Sequence, residues 1–233
     1  MNKKLLISLF LILSYTNIHA ENVSPFPAET NGIQIIPLSN LNIPNELKAE
    51  TRRKQAEENL KGYQEDTDSD EYIRFLTHLR SHSLQEIKDS KKLNDPYDTH
   101  LKSSLSEINL SIPFKPVKSI KNENVIGYAA IGSYIDNKGW SGVKEFFDDP
   151  ELGTCAYSVT TIKAAQLSKE TTEYLVHKKP SNKIIEGNFN TGFIYNLNWY
   201  TNHTMSVLDC ANKKFDPAIM SKMIIYANKV DIE

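Results

Sequence analysis

The chain has few cysteines, little net charge and only one extended hydrophobic segment. Two of its 233 residues are cysteine. The hydrophobic segment, Leu5–Leu13, is too short to span a membrane as a helix, which requires about 20 apolar residues. The formal net charge is −2 at pH 7. Neither nucleic acid nor an anionic membrane surface is therefore favoured as a partner, and no membrane span is expected in the mature chain.

Motifs for cofactors and metals are also scarce. No Walker loop and no G-x-G-x-x-G occurs, so no cofactor is predicted. His78 and His82 have the four-residue spacing of metal-binding histidines, but Leu79 replaces the Glu of H-E-x-x-H, and two surface histidines are the favoured interpretation. Gly139-Trp-Ser-Gly-Val143 lacks the last glycine of a nucleophile elbow, which favours a plain loop.

Residues 1–20 have the pattern of a cleavable secretory signal peptide. Lys3 and Lys4 precede the hydrophobic segment, and Ile18-His-Ala20 provides a small residue at the expected cleavage site. Removing these residues takes away two basic and no acidic side chains, which leaves 25 Lys and Arg against 29 Asp and Glu, a net charge of −4. The sequence therefore predicts an exported bacterial protein, periplasmic or secreted.

Two segments are predicted before the main domain. Residues 21–44 contain four prolines and are expected to form an extended arm. We interpret its apolar part, Ile33–Leu38, as an edge strand or a strip against its own domain, in preference to a segment that docks on a partner. Residues 45–110 are predicted as a helical extension. Its first helix, Asn45 to Leu60, is highly polar, with Gly62 as the stop signal.

The rest of the extension contains a second helix that begins at Asp70 and runs to about Leu93, followed by a short helix near Tyr97 to Ile108. Residues 118–233 are predicted as the globular domain, because seven of the nine glycines lie between Gly127 and Gly192. We predict an α+β fold, a mainly antiparallel sheet with a C-terminal helix. The predicted strands are Val125–Ile135, Thr154–Ile162, Lys183–Asn188 and a hairpin, and the predicted helices are Gly142–Phe147, Ser168–His177 and one beginning at Asp216-Pro217.

The hairpin has the most regular pattern of the chain. Phe193, Tyr195, Leu197 and Trp199 alternate with other residues, as in a strand with one buried face. A second run extends from Thr204 to Cys210. A three-residue loop would pair Trp199 with Met205, whereas a two-residue loop would pair Trp199 with Thr204. Burial of one face favours the first register.

The two cysteines admit two interpretations. In an exported chain, Cys155 and Cys210 are most simply a disulfide. Alternatively, the protein is a secreted cysteine-dependent hydrolase, with Cys155 as nucleophile, His203 as general base and Asp209 as orienting group. Three features count against the hydrolase: Cys155 lies in a predicted strand, His203 lies in the hairpin loop, and a bridged sulfur cannot attack a substrate.

Four aromatic residues form the remaining candidate site. Trp140, Tyr195, Trp199 and Tyr200 would provide an aromatic platform for a sugar or a peptide, although core packing of Tyr195 and Trp199 is the favoured interpretation.

The sequence as a whole predicts a non-catalytic binding or interaction protein of the bacterial envelope or exterior. Its expected partner is another protein or an envelope component.

Overall fold

The computed structural model describes residues 32–81, 101–116 and 124–230. Three α-helices and eleven strands lie in these ranges, together with 3₁₀ turns at Leu38–Asn40 and Leu105–Glu107. The helices are α1 (Asn45–Lys61), α2 (Asp70–Ser81) and α3 (Ala218–Ala227). The strands are β1 (Gly32–Ile36), β2 (Gln64–Glu65), β3 (Leu101–Lys102), β4 (Val125–Ile135), β5 (Gly139–Asp149), β6 (Gly153–Thr161), β7 (Ala164–Ser168), β8 (Glu173–Val176), β9 (Lys179–Asn188), β10 (Gly192–Tyr200) and β11 (Thr204–Asn212).

A nine-stranded sheet forms the centre of the described structure, in the order β2-β9-β10-β11-β6-β5-β4-β3, with β8 also paired to β9. Short turns join most neighbours, so these strands run antiparallel. The expected sheet core and C-terminal helix are confirmed. The sheet is mixed, however, because β2 joins β9 in parallel, and a separate parallel pair is formed by β1 and β7.

The β10–β11 hairpin is confirmed, but the predicted register is wrong. Trp199 lies opposite Ser206, and Tyr200 lies opposite Met205. The Thr201 amide donates to the Thr204 carbonyl at 2.8 Å, which closes a two-residue turn. This turn lies one residue later in the chain than the two-residue loop that the sequence suggested, so neither predicted register forms. All nine residues of β10 are buried. Because both faces are covered, burial of one face did not select the register.

The two faces of the sheet carry different layers. On one face, α3 packs over Tyr195, Trp199 and the two cysteines. On the other face, α2 packs over Phe146 and Ile194 through four buried side chains, which are Ile73, Phe75, Leu76 and Leu79. The amphipathic pattern of α2 thus produces the second half of the core.

The two other helices begin or end as predicted. Gly62 stops α1 in the left-handed conformation, with φ of 82°, and its amide donates to the Glu58 carbonyl at 2.7 Å. At the start of α3, Asp216 Oδ1 accepts from the Ala218 amide at 2.9 Å, and Pro217 directly precedes the helix. The arm residues Gly32–Ile36 pair with β7 of the same chain, as the edge-strand interpretation predicts.

Two predicted helices of the globular domain are strands, and the described part of the short helix predicted near Tyr97 to Ile108 contains β3 and a 3₁₀ turn. Residues Gly142–Phe147 belong to β5, which lies between β4 and β6 and is mostly buried. Within the predicted helix Ser168–His177, Glu173–Val176 forms β8, which turns back onto β9 through His177 and Lys178. Both of these residues have positive φ, so the chain reverses there. Pairing with neighbouring strands outweighs local helix preference in both segments.

Some expectations concern residues that the structure does not describe, namely the signal peptide, the end of the second predicted helix, and His82. Among the described residues, no helix has the length and apolar character needed to cross a membrane.

Candidate functional site

A polar cavity lies between α1 and the sheet. Its volume is about 290 Å³, close to the lower end of the range of roughly 300–1,000 Å³ for ligand pockets. Helix α1 contributes one wall, β9 and β10 contribute a second, and β7 with the segment that follows it contributes a third. Its polar lining includes Lys54, Glu58, Gln64, Glu170, Glu173, Asn182, Lys183, Glu186 and Tyr200.

An ion-pair cluster joins α1 to the sheet at one side of the cavity. Lys54 Nζ lies 3.0 Å from Asp66 Oδ2 and 3.5 Å from Glu186 Oε1, and all three side chains are largely buried. Burial opposes the charge of Lys54, but the hydrogen bond to Asp66 and the charge of Glu186 outweigh it and raise the pKa of Lys54. Burial raises the pKa of Glu186, and Lys54 offsets only part of that effect. Lys54 is therefore a structural cation that is already paired.

Glu58 is the second important carboxylate of the cavity. Burial raises the pKa of its side chain, and the hydrogen bond that Gln64 Nε2 donates to Glu58 Oε2 at 2.9 Å acts in the opposite direction. The nearby Lys183 lies 3.1 Å from Glu173 Oε1. No cation of the described residues lies within salt-bridge distance of Glu58. Glu58 thus presents a partly desolvated carboxylate without a direct counter-ion.

Two further polar groups line the cavity. The Asn182 Oδ1 atom is buried and accepts no hydrogen bond from any described residue. Tyr200 is only 2% exposed, and burial raises the pKa of its hydroxyl. Buried polar atoms are hydrogen-bonded in most proteins, and one without a partner lowers stability by about 1–3 kcal/mol. Asn182 Oδ1 thus retains unused hydrogen-bonding capacity at the cavity.

The predicted disulfide is present. Cys155 and Cys210 lie directly opposite each other on β6 and β11, with their sulfur atoms 2.08 Å apart and their Cα atoms 4.1 Å apart. Both side chains are fully buried in the layer under α3. While this bond is intact, Cys155 has no thiol for the nucleophilic role of the alternative hydrolase.

The other two members of the proposed hydrolase triad differ in exposure. His203 is exposed in the β10–β11 turn. Asp209 is buried in the layer under α2, where it accepts hydrogen bonds from Tyr72 at 3.0 Å and from Asn196. Its oxygens therefore bind groups other than an imidazole.

The four aromatic candidates do not form one surface. Tyr195 and Trp199 are buried under α3, and the Trp199 ring stacks on Tyr157 with centroids 5.8 Å apart. Tyr200 lines the cavity on the opposite face of β10. Trp140 lies on β5, with its ring 5.6 Å from that of Tyr134. Of the four, only Tyr200 contributes to the candidate site.

No protein-family model, curated protein or solved structure matches the chain. Its own residues are accordingly the basis for any functional proposal.

Sequence reasoning missed most of the cavity residues. The signal on α1 is a stripe of polar residues at helical spacing, Thr51, Lys54, Gln55 and Glu58, which is equally typical of a solvated helix face. On β9, Asn182, Ile184 and Glu186 share one face of the strand, but the predicted strand began only at Lys183. Neither segment alone reveals that the other lies opposite it.

A buried polar network lies beside the cavity on the α2 face of the sheet. Asn198 Nδ2 donates to Asn196 Oδ1 at 2.6 Å, Asn196 donates to Asp209, and Lys144 Nζ lies 3.4 Å from the Tyr72 hydroxyl. Burial raises the pKa of Asp209, and the charge of Lys144 and the hydrogen bonds from Asn196 and Tyr72 offset this only in part.

The substitution Asp209→Asn is expected to remove a pH-dependent loss of stability. Because the folded-state pKa of Asp209 is raised, the folded protein binds a proton at this carboxyl group more tightly than the unfolded chain does. The wild type should therefore lose stability relative to the variant as the pH rises from about 4, the ordinary pKa of an aspartate, towards neutrality. Urea denaturation of both proteins across this range measures the difference. A relative gain for the wild type would mean that attraction to Lys144 outweighs burial.

Proposed function

We propose that this protein is an exported, non-catalytic binding protein that holds a small polar ligand in the cavity between α1 and the sheet. In this proposal residues 1–20 are removed on export, and the mature protein acts in the periplasm or outside the cell. Its ligand is a component of that environment, and binding requires neither a cofactor nor a reactive thiol.

The observation that carries the proposal is an unsatisfied buried atom in the cavity lining. Asn182 Oδ1 has no hydrogen-bond partner among the described residues, and the Tyr200 side chain lines the same space. A ligand that bonds to Asn182 Oδ1 recovers the free energy lost when this atom was buried.

The attachment of α1 supports the same proposal. No residue of α1 is fully buried. The contacts that hold it are polar, such as the bonds from Lys54 to Asp66 and from Gln55 Nε2 to the Glu170 carbonyl. Displacing this helix exposes little apolar surface, so the hydrophobic effect opposes its movement only weakly. A small shift of α1 would then admit a ligand.

The disulfide supports the proposed location. Such bonds persist mainly in oxidising compartments, including the periplasm and the exterior. The bond between Cys155 and Cys210 is compatible with export, and the signal-peptide pattern of residues 1–20 points in the same direction.

A ligand screen with a hydroxyl deletion tests the proposal. Mature protein labelled with ¹⁵N is titrated with a panel of small sugars, amino acids, amines and dicarboxylates, and we expect chemical-shift changes around Tyr200 and Asn182. Tyr200→Phe should then weaken binding of any hit by about threefold to tenfold, since one hydrogen bond is lost. Tyr174→Phe is the matched control, because Tyr174 is 61% exposed and lies outside the cavity lining.

The screen has two outcomes against the proposal. Shift changes that centre on another surface would mean that the cavity is not the binding site. Absence of binding across the whole panel would contradict a small polar ligand, and a search for a protein partner would follow.

A further inference from the structure

We infer that the ligand of this cavity is a primary amine, whose ammonium group is held by Glu58 and by Asn182 Oδ1. This inference rests on the proposed function and adds the chemical class of the ligand. It depends on which charges of the cavity are already paired and on which hydrogen-bonding groups remain.

The unpaired charge in the cavity is negative. Four carboxylates line it, on Glu58, Glu170, Glu173 and Glu186, against the two ammonium groups of Lys54 and Lys183. Lys54 is bound to Asp66 and Glu186, and Lys183 is bound to Glu173. Both cations thus already have a carboxylate partner, and an anionic ligand would meet an excess of like charge.

Glu58 is the carboxylate best placed to receive a cation. Glu170 Oε2 already accepts from the Leu38 amide at 2.8 Å and from Ser168 Oγ at 2.7 Å. Glu58 accepts one hydrogen bond, from Gln64, through Oε2 only. The Glu58 Oε1 atom therefore remains as an acceptor for a charged donor, and such charge-assisted bonds are roughly twice as strong as neutral ones.

The neutral groups match the same ligand. Asn182 Oδ1 is an acceptor without a donor, and the Tyr200 hydroxyl both donates and accepts. A primary ammonium has three donors and no acceptor. It satisfies an amide oxygen and a carboxylate together, which a neutral alcohol with one donor cannot do.

Calorimetric titration of the mature, disulfide-intact protein tests the inference with three probes of equal chain length: 1,5-diaminopentane, 1,5-pentanediol and glutarate. We expect the diamine to bind, and the diol and the dicarboxylate to bind at least about tenfold more weakly. Glu58→Gln preserves the shape of the side chain and its hydrogen bond from Gln64, and should weaken diamine binding by about tenfold. Glu46→Gln, the same change at an exposed position of α1 outside the cavity lining, should leave it unchanged.

A second variant acts in the opposite direction. Asn182→Asp adds a carboxylate at the unsatisfied acceptor and should strengthen diamine binding. This expected gain tests the amine inference even if Glu58→Gln fails to fold.

Equal or tighter binding of the diol or of glutarate in the cavity would overturn the amine inference and leave the proposed function in place. Failure of all three probes would also overturn it, and the broader panel would decide the proposed function separately. Diamine binding that is equal in the Glu58, Asn182 and Glu46 variants would show only nonspecific attraction to an acidic protein.

Discussion

Replacing both Cys155 and Cys210 with alanine is expected to lower the free energy of unfolding by about 4 kcal/mol, because the bridge restricts the unfolded chain across a long loop. The two residues are separated by 55 positions. The bond also connects β6 and β11 in the middle of the sheet, where both side chains are fully buried. For a domain stabilised by about 5–15 kcal/mol, this loss is a large fraction of the total.

Urea denaturation of the wild type and the double variant, each with and without reductant, measures this effect. The wild type should become less stable on reduction, whereas the double variant should not respond. Intact mass after treatment with a thiol-alkylating reagent provides the first check. The oxidised wild type should gain no alkyl groups until it is both unfolded and reduced.

A different mass result would change the functional argument. If the folded protein from its native compartment contains a free thiol that alkylates rapidly, the bridge is not its resting state. The cysteine-dependent hydrolase, with Cys155 as nucleophile, would then become the leading hypothesis, and loss of hydrolysis in Cys155→Ala would be its test.

Truncating one core residue of α2 is the second change with a large expected effect. Leu76 is fully buried against the sheet, and Leu76→Ala should lower the free energy of unfolding by about 2–5 kcal/mol. The matched control is Leu60→Ala on α1, where the side chain is 84% exposed. That substitution should change stability by no more than about 0.5 kcal/mol.

The same comparison tests how α2 relates to the sheet. A single cooperative transition with the expected loss in Leu76→Ala means that α2 and the sheet unfold together. A small effect for both leucines, or an early separate transition for the helices, would mean that α2 folds as an independent extension. Thermal unfolding followed at both a helical and an aromatic signal distinguishes these results.

Local patterns predicted several elements well, for reasons that do not depend on the rest of the fold. The alternation in β10 and the β-branched residues of β6 specify strands. Gly62 and Asp216 mark helix ends through the conformation and the hydrogen bond that each residue type supplies.

The errors have one common physical cause. Gly142–Phe147 contains no helix-breaking proline, and Ser168–His177 has a polar start, so each segment is compatible with a helix in isolation. In the fold, β5 is covered by β4 and β6, and β8 turns back onto β9. These hydrogen bonds and buried contacts depend on partners elsewhere in the chain, which local propensity does not include.

The candidate site was beyond sequence reasoning for the same reason. Glu58 lies on α1, and Asn182 lies on β9, more than a hundred residues later. Each is an ordinary polar residue in its own segment. Only their placement across one cavity, with Lys54 and Lys183 already neutralised, gives Glu58 its unpaired charge.

By itself, the sequence determined the positions of five long strands, one end each of α1 and α3, and which two cysteines were available to pair. Period-two alternation, capping and residue counts are local properties. The tertiary structure decided the hairpin register, the strand identity of β5 and β8, and the position of α1 over the sheet. These features arise from burial on both faces of the sheet and from charges that meet across long sequence distances. The cavity and its acidic character belong to this second group.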